Sequence, residues 1–207
     1  MDYLRDPQEI TRRSFDMVRS ETDLTAMPAA VSEIALRVVH ACGMTDIVGD
    51  FAWRGDPLRA GRAALEAGAP VIADCRMVAH GVTRTRLPAD NAVLVPLDDP
   101  AVPDLARAQG TTRSAAAVGL WQPHLDGAVV AIGNAPTALF RLLEVLDAGA
   151  PRPAAILAFP VGFVGAAESK QALVDGVGGI PYVTLRGRRG GSAMAAAAVN
   201  AIARAEP

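Results

Sequence analysis

The 207-residue sequence predicts one α/β domain covering residues 1–207, a five-stranded, mainly parallel sheet with helices on both faces. Three observations predict it. Five short apolar runs, PVIADC (70–75), AVLVPL (92–97), AVVAIG (128–133), AAILAF (154–159) and PYVTL (181–185), read as strands buried on both sides. Helical segments alternate with them, at about 101–109, 111–122, 136–148, 165–176 and 190–205. No long linker, low-complexity tract or internal repeat divides the chain.

Three helices precede the alternation. In RDPQEITRRSFDMVRSE, Asp6 can cap, Pro7 suits the first turn, and Glu9 completes a box-like pattern. Ile10, Ser14, Met17 and Val18 share one face, which sets Ser14 in an apolar stripe. A second helix runs from about Pro28 to Cys42, with Gly43 as its stop. A third follows Asp56-Pro57 and ends near Gly68. The Ala-rich segment AMAAAAVNAIARA near the end can pack closely against a neighbouring helix.

Composition excludes several classes. Apolar residues make up 51% of the chain, enough for a full core, and aromatics only 4%. A net charge of −2 argues against general nucleic-acid binding. Lys170 is the only lysine among twenty basic residues. A codon bias towards Arg explains that, and so does recognition of carboxylates or phosphates by forked guanidinium groups. Cys42 and Cys75 have neither metal nor disulfide spacing. The opening MDYLRDPQEITRR carries charges where a signal peptide needs an apolar run. AAILAFPVGFVGAA is too short to span a bilayer. A soluble cytoplasmic protein without metal, membrane or nucleic-acid partner is the expectation. P-loop, G-x-G-x-x-G and G-x-S-x-G patterns are all missing.

In a parallel sheet, ligands bind beyond the carboxyl ends of the strands. The segments there are DCRMVAHGVTRTR, PLDDP, IGNAPT, FPVGFVGA and LRGRRGGS, rich in Gly, Arg, Asn and Thr. Arg76, Arg84, Arg86 and Arg113 cluster in predicted sheet-end loops, and Arg186, Arg188 and Arg189 follow the last strand. Converging, they would bind a ligand with several carboxylates; singly, they read as solvated surface charge. In IGNAPTAL, free backbone N–H groups at a helix start can hold an anion, with Asn134 and Thr137 adding side-chain bonds. A capped helix start explains the same pattern. Ser192 is similarly a cap or a ligand contact.

His40 ends the second helix. It lies about 200° round from Val38, and Val38 belongs to the apolar stripe of Val31, Ala35 and Cys42. It shares its side with Glu33, Leu36 and Arg37. The helix is apolar on most of its circumference, which predicts a second covered side, under a ligand or another subunit. A helix C-terminus favours imidazolium and so suits a general acid, while Arg37 opposes it. A surface histidine with no role is the competing reading. His80 and His124 have weaker claims.

RVVHACG, DCRMVAHGVTR, TTRSAAAV, IGNAPTAL, PVGFVGAAESK, PYVTLRGRRGGS and NAIA occur in that order. From about Pro7 to Ala203 the chain resembles the precorrin-8X methylmutase family of cobalamin biosynthesis. The resemblance implies a homodimeric α/β isomerase without metal or organic cofactor. It implies a methyl shift from C-11 to C-12 of a tetrapyrrole, giving hydrogenobyrinate, with His40 donating a proton to the ring. It also places Ser14 and Arg113 at the substrate site. Arg37, Arg76, Thr83, Arg84, Asn134 and Thr137 are the further candidate contacts for the acetate and propionate arms. Hand-over of product to the next pathway enzyme is compatible with this picture. Three alternatives stay open: a cobalt-containing substrate of the anaerobic branch, a non-catalytic tetrapyrrole carrier, and a nucleotide-binding enzyme using IGNAPT or RGRRGGS for phosphate.

Overall fold

The computed structural model describes residues 1, 3–176 and 178–203. Helix α1 (Pro7–Glu21) begins where Asp6 accepts the backbone N–H groups of Gln8 and Glu9. The box is not closed: Glu9 turns its carboxylate to Arg12 and Arg13, at 2.7 and 2.6 Å. The expected stripe is also rotated. Val18 is buried and Phe15 half-buried, whereas Ile10 and Met17 stay exposed. The packing face of α1 therefore runs Ser14–Phe15–Val18.

Helix α2 (Ala29–Cys42) stops at Gly43, whose φ of +68° lets its N–H return to the Val39 carbonyl. A tight turn (Thr45–Asp50) leads to strand β1 (Phe51–Arg54), and α3 (Pro57–Glu66) follows, capped by Asp56. The alternation comes next, with β2 (Val71–Ala73), α4 (Arg76–Gly81), β3 (Val93–Leu94), α5 (Val102–Gln109) and α6 (Arg113–Val118). A tight turn (Gly119–Trp121) breaks the segment expected at 111–122 and leads into α7 (Gln122–Leu125). The chain continues with β4 (Val129–Ile132), α8 (Pro136–Asp147), β5 (Ala155–Ala158), α9 (Ala166–Asp175), β6 (Tyr182–Leu185) and α10 (Ser192–Ala203). The last two residues of the helix expected at 190–205 lie outside the described residues.

Among the described residues the sheet has six strands rather than five, in the order β1-β6-β5-β4-β2-β3. All neighbours are parallel except β1, which runs antiparallel to β6 with Phe51 opposite Leu185. The unpredicted strand is the edge strand β1. Its FAWR sequence fades from buried to exposed along its length, so it lacks the continuous apolar run of a central strand.

Alternate residues of each strand feed two cores. Val129, Ala131, Leu157 and Val183 face α2, α3, α4 and α10. Ile72, Val130, Ile132 and Ile156 face α6, α7, α8 and α9. Full burial of each large aliphatic side chain contributes about 1.5–3 kcal/mol. The small side chains of α10 let α4 approach so closely that a Cβ on Gly81 would sit 2.5 Å from Ala196. The parallel strands bring the carboxyl ends of β2, β4, β5 and β6 to one edge. The turn after α2 reaches the same edge, since the Arg186 N–H donates to the Asp50 carbonyl at 2.8 Å.

Candidate functional site

His40 is exposed on the last turn of α2 and points away from the core. Its Nδ1 lies 2.8 Å from the Ser14 hydroxyl on α1. Its ring stacks on Phe15 at 4.7 Å between centroids and 21° between planes. The Arg37 guanidinium covers the same phenyl ring at 5.4 Å. The second side of α2 is thus partly covered by α1 of the same chain, where a ligand or another subunit was expected. Phe15 is the centre of this arrangement, and nothing local in the sequence singles it out.

Phe15 and Arg37 also separate two grooves. One, of 880 Å³, runs between α1 and the turn at Thr85–Pro88, with Arg12, Arg19, Arg37 and Arg86 among its walls. The other, of 750 Å³, lies under Leu24, Ser32 and Leu36. Both fall in the size range of sites for organic ligands. Thr83 and Arg84 sit just before the Thr85–Pro88 turn, exposed. Asn200 of α10 holds that turn in place, accepting the Thr83 N–H at 2.8 Å and donating to the Gly81 carbonyl at 2.9 Å.

A second locale lies at the carboxyl edge of the sheet. Asn134 is half-buried after β4, and Thr137 sits in the first turn of α8. The hydroxyls of Thr137 and Thr112 are 2.8 Å apart, which sets Thr137 beside the start of α6, where Arg113 is exposed. The expected free amides of IGNAPT are not free. Buried Asp74, directly after β2, accepts the N–H groups of Gly133, Asn134 and Ala135 at 3.0, 2.9 and 2.9 Å. The protein's own carboxylate fills that anion position. Arg76 is engaged as well, in a 2.7 Å ion pair with Asp98, so an incoming carboxylate must compete with it.

The loops after β5 and β6 close this edge. Exposed Phe163 lies under Arg188, at 5.2 Å. Arg189 pairs with Asp46 and Asp50, tying the β6 loop to the turn after α2. Lys170, fully buried on α9, donates to the Arg189 carbonyl at 2.5 Å, and burial pushes its pKa down to about 8. Ser192 faces the Cys75 thiol at 3.5 Å, and burial pushes that thiol up.

The predicted residues therefore fall into two groups. Ser14, Arg37 and His40 gather round Phe15, with Thr83 and Arg84 leading into the turn across the groove. Arg113, Asn134 and Thr137 gather at the sheet edge, and Arg76 opens α4 at the end of β2. Asp74 and Asn200 were missed because their partners are remote, 59–61 and 117–119 residues away. Among the described residues, no three His, Cys, Asp or Glu side chains could hold a metal ion. No helix among them is long and apolar enough to cross a membrane.

Known proteins resemble this chain along nearly its whole length. A family model described as precorrin-8X methylmutase matches residues 9–205. A precorrin-8X methylmutase of Pseudomonas aeruginosa is 60% identical over 203 residues, covering 98% of each chain. One from Sinorhizobium is 56% identical over 98% of this chain and 97% of that protein. A crystal structure of the precorrin-8X methylmutase of Thermus thermophilus superposes with a TM-score of 0.85 at 36% identity, covering 95% of this chain and 94% of that one.

Proposed function

The chain belongs to the precorrin-8X methylmutase family, and we propose that it moves a methyl group from C-11 to C-12 of precorrin-8X, giving hydrogenobyrinate, with His40 as proton donor. One observation carries the reading: an exposed imidazole is bonded to Ser14 and stacked on Phe15, and Phe15, rather than His40 itself, lines the groove walled by arginines. Ser14 occupies Nδ1, which leaves Nε2 for the substrate. In the imidazolium form, Nδ1–H donates to the Ser14 oxygen and Nε2–H faces outward.

The shift is intramolecular. The bond from methyl to C-11 breaks and the bond to C-12 forms. A proton from His40 to a ring nitrogen makes the conjugated system electron-poor and eases migration. Substrate and product are isomers, so one proton returns from the ring and His40 is restored. A positioned acid contributes roughly 10²–10⁴-fold. The remainder comes from holding the macrocycle in its reactive shape. Arg37, Thr83, Arg84 and Arg113 supply donors to the carboxylate arms, with Asn134 and Thr137 at the sheet edge. His40 is exposed in the single chain, so the macrocycle itself, and a partner subunit in a homodimer, must exclude water from the imidazole.

Both relatives at 60% and 56% identity carry names without cobalt, which supports the metal-free substrate. Incubation with precorrin-8X, followed by absorption spectroscopy, tests the reading. Conversion to the product chromophore is expected; an unchanged spectrum with an active control enzyme overturns it, and turnover of the cobalt form alone moves the chain to the anaerobic branch. His40→Ala should still bind pigment yet lose at least about 100-fold in kcat. Binding with no turnover in the parent protein would identify a carrier.

A further inference from the structure

Asp74 is 2% exposed, and its carboxylate accepts three consecutive backbone N–H groups, those of Gly133, Asn134 and Ala135. Its own N–H donates to the Ala131 carbonyl at 3.1 Å, so one residue joins the ends of β2 and β4 in four bonds. A buried carboxylate is costly without such donors, and charge-assisted bonds to N–H groups are the strong kind. Burial pushes this carboxyl up, while the three amides restrain the rise.

The turn it grips has little room to shift. A Cβ on Gly133 would lie 2.7 Å from the Ser192 Cα and 2.8 Å from Val78. Asn134 leaves this turn directly, and Thr137 follows within one helical turn, bonded to Thr112 beside Arg113. Fixing three amides fixes where these donors point.

We propose that Asp74 is a positioning residue for the substrate-binding edge: by filling the amide cradle after β4 with an internal carboxylate, it denies that cradle to the ligand and aims Asn134 and Thr137 at the substrate's carboxylate arms. The proposal rests on the reading of Asn134 and Thr137 as substrate contacts. It separates Asp74 from the proton transfer at His40, so the two residues affect different kinetic constants.

Asp74→Asn tests it. The amide nitrogen replaces one acceptor and faces N–H groups that it cannot accept. KM for precorrin-8X should rise roughly tenfold, as for one lost charge-assisted bond, with kcat within about threefold of the parent. Asn134→Ala should raise KM in the parent but add less than about twofold in the Asp74→Asn background, since both changes disable the same contact. Unchanged KM, a loss confined to kcat, or fully additive effects would overturn the proposal. Hydrogen exchange in the unaltered protein covers the case in which the variant does not fold. The Gly133, Asn134 and Ala135 amides should then be protected as strongly as those of β4, and rapid exchange of all three would overturn the clamp. If the parent does not convert precorrin-8X at all, the functional reading fails while the exchange result still judges the clamp.

Discussion

The two halves of the site are built in opposite ways. Around His40, helices α1 and α2 meet through side chains, with a hydroxyl bond, a ring stack and the Arg37 guanidinium over Phe15, and these groups are exposed or half-buried. At the sheet edge, backbone is tied to buried side chains: Asp74 holds the turn after β4, and Lys170 holds the loop after β6. The first arrangement can adjust when a ligand arrives. The second is pre-formed and cannot yield without disturbing the core. In the proposed reaction, proton transfer needs a group that can reach the ring, while recognition of several carboxylates gains most from donors that do not move.

The largest expected contrast lies in two glycines, one from each half. Gly133→Ala would drive a methyl into Ser192 Cα, Val78 and Ala195, at 2.7, 2.8 and 2.9 Å. Overpacking of this kind costs about 1–3 kcal/mol or more, and here one neighbour is backbone. Gly43→Ala meets nothing within 4 Å, and its only cost is the left-handed φ of +68°, about 1–2 kcal/mol. Denaturant titration should rank Gly133→Ala as clearly the more destabilising; equal losses would mean that the sheet edge is as adaptable as the helix end.

Lys170 supplies the next contrast, through pH. Its pKa falls from 10.5 to about 8 on burial. Between those values the unfolded chain binds more protons than the native one, so this group makes stability rise as pH rises from 8 towards 10.5. At about 1.4 kcal/mol per unit the rise amounts to roughly 3 kcal/mol. The Cys42 and Cys75 thiols, raised by burial, act in the opposite sense above pH 9. Comparing Lys170→Met with the parent across pH 7.5–10.5 cancels their part. The stability difference between the two should change in the parent's favour as pH rises, and a flat difference would remove the claim that the β6 loop is held by a buried cation.

Legibility in the sequence follows the same division. Asp6-Pro7, Asp56-Pro57 and the stop at Gly43 act within a few residues, and each is where local chemistry puts it. Strands β2, β4, β5 and β6 were readable because burial on both faces leaves continuous apolar runs, whereas AVLVPL, expected to be buried on both sides, yields only the half-buried edge strand β3. Strand β1 was not, since only its pairing with β6, more than a hundred residues later, makes FAWR a strand. That His40 turns away from the core was readable from its place on the helix, while its role rests on the family resemblance. Phe15, which stacks on His40, carries no local signal that links it to a histidine 25 residues later. IGNAPT read as an anion site, and the anion proved to be Asp74, a residue whose sequence context shows only an acid after a strand.

The smallest predicted effect tests the adjustable half directly. Ser14→Ala removes the single hydrogen bond to His40 Nδ1 and leaves the stack on Phe15 intact. A bond of this kind contributes about 1 kcal/mol, so kcat should fall about fivefold. KM should stay constant if the Ser14 hydroxyl serves only the imidazole it is bonded to. Thermal stability should hardly change, because the bond lies at the surface and water replaces it. A rise in KM comparable with that of Asp74→Asn would show that the helix surface also grips the arms. The division of labour between a yielding acid and a fixed cradle would then give way to a site in which both halves bind.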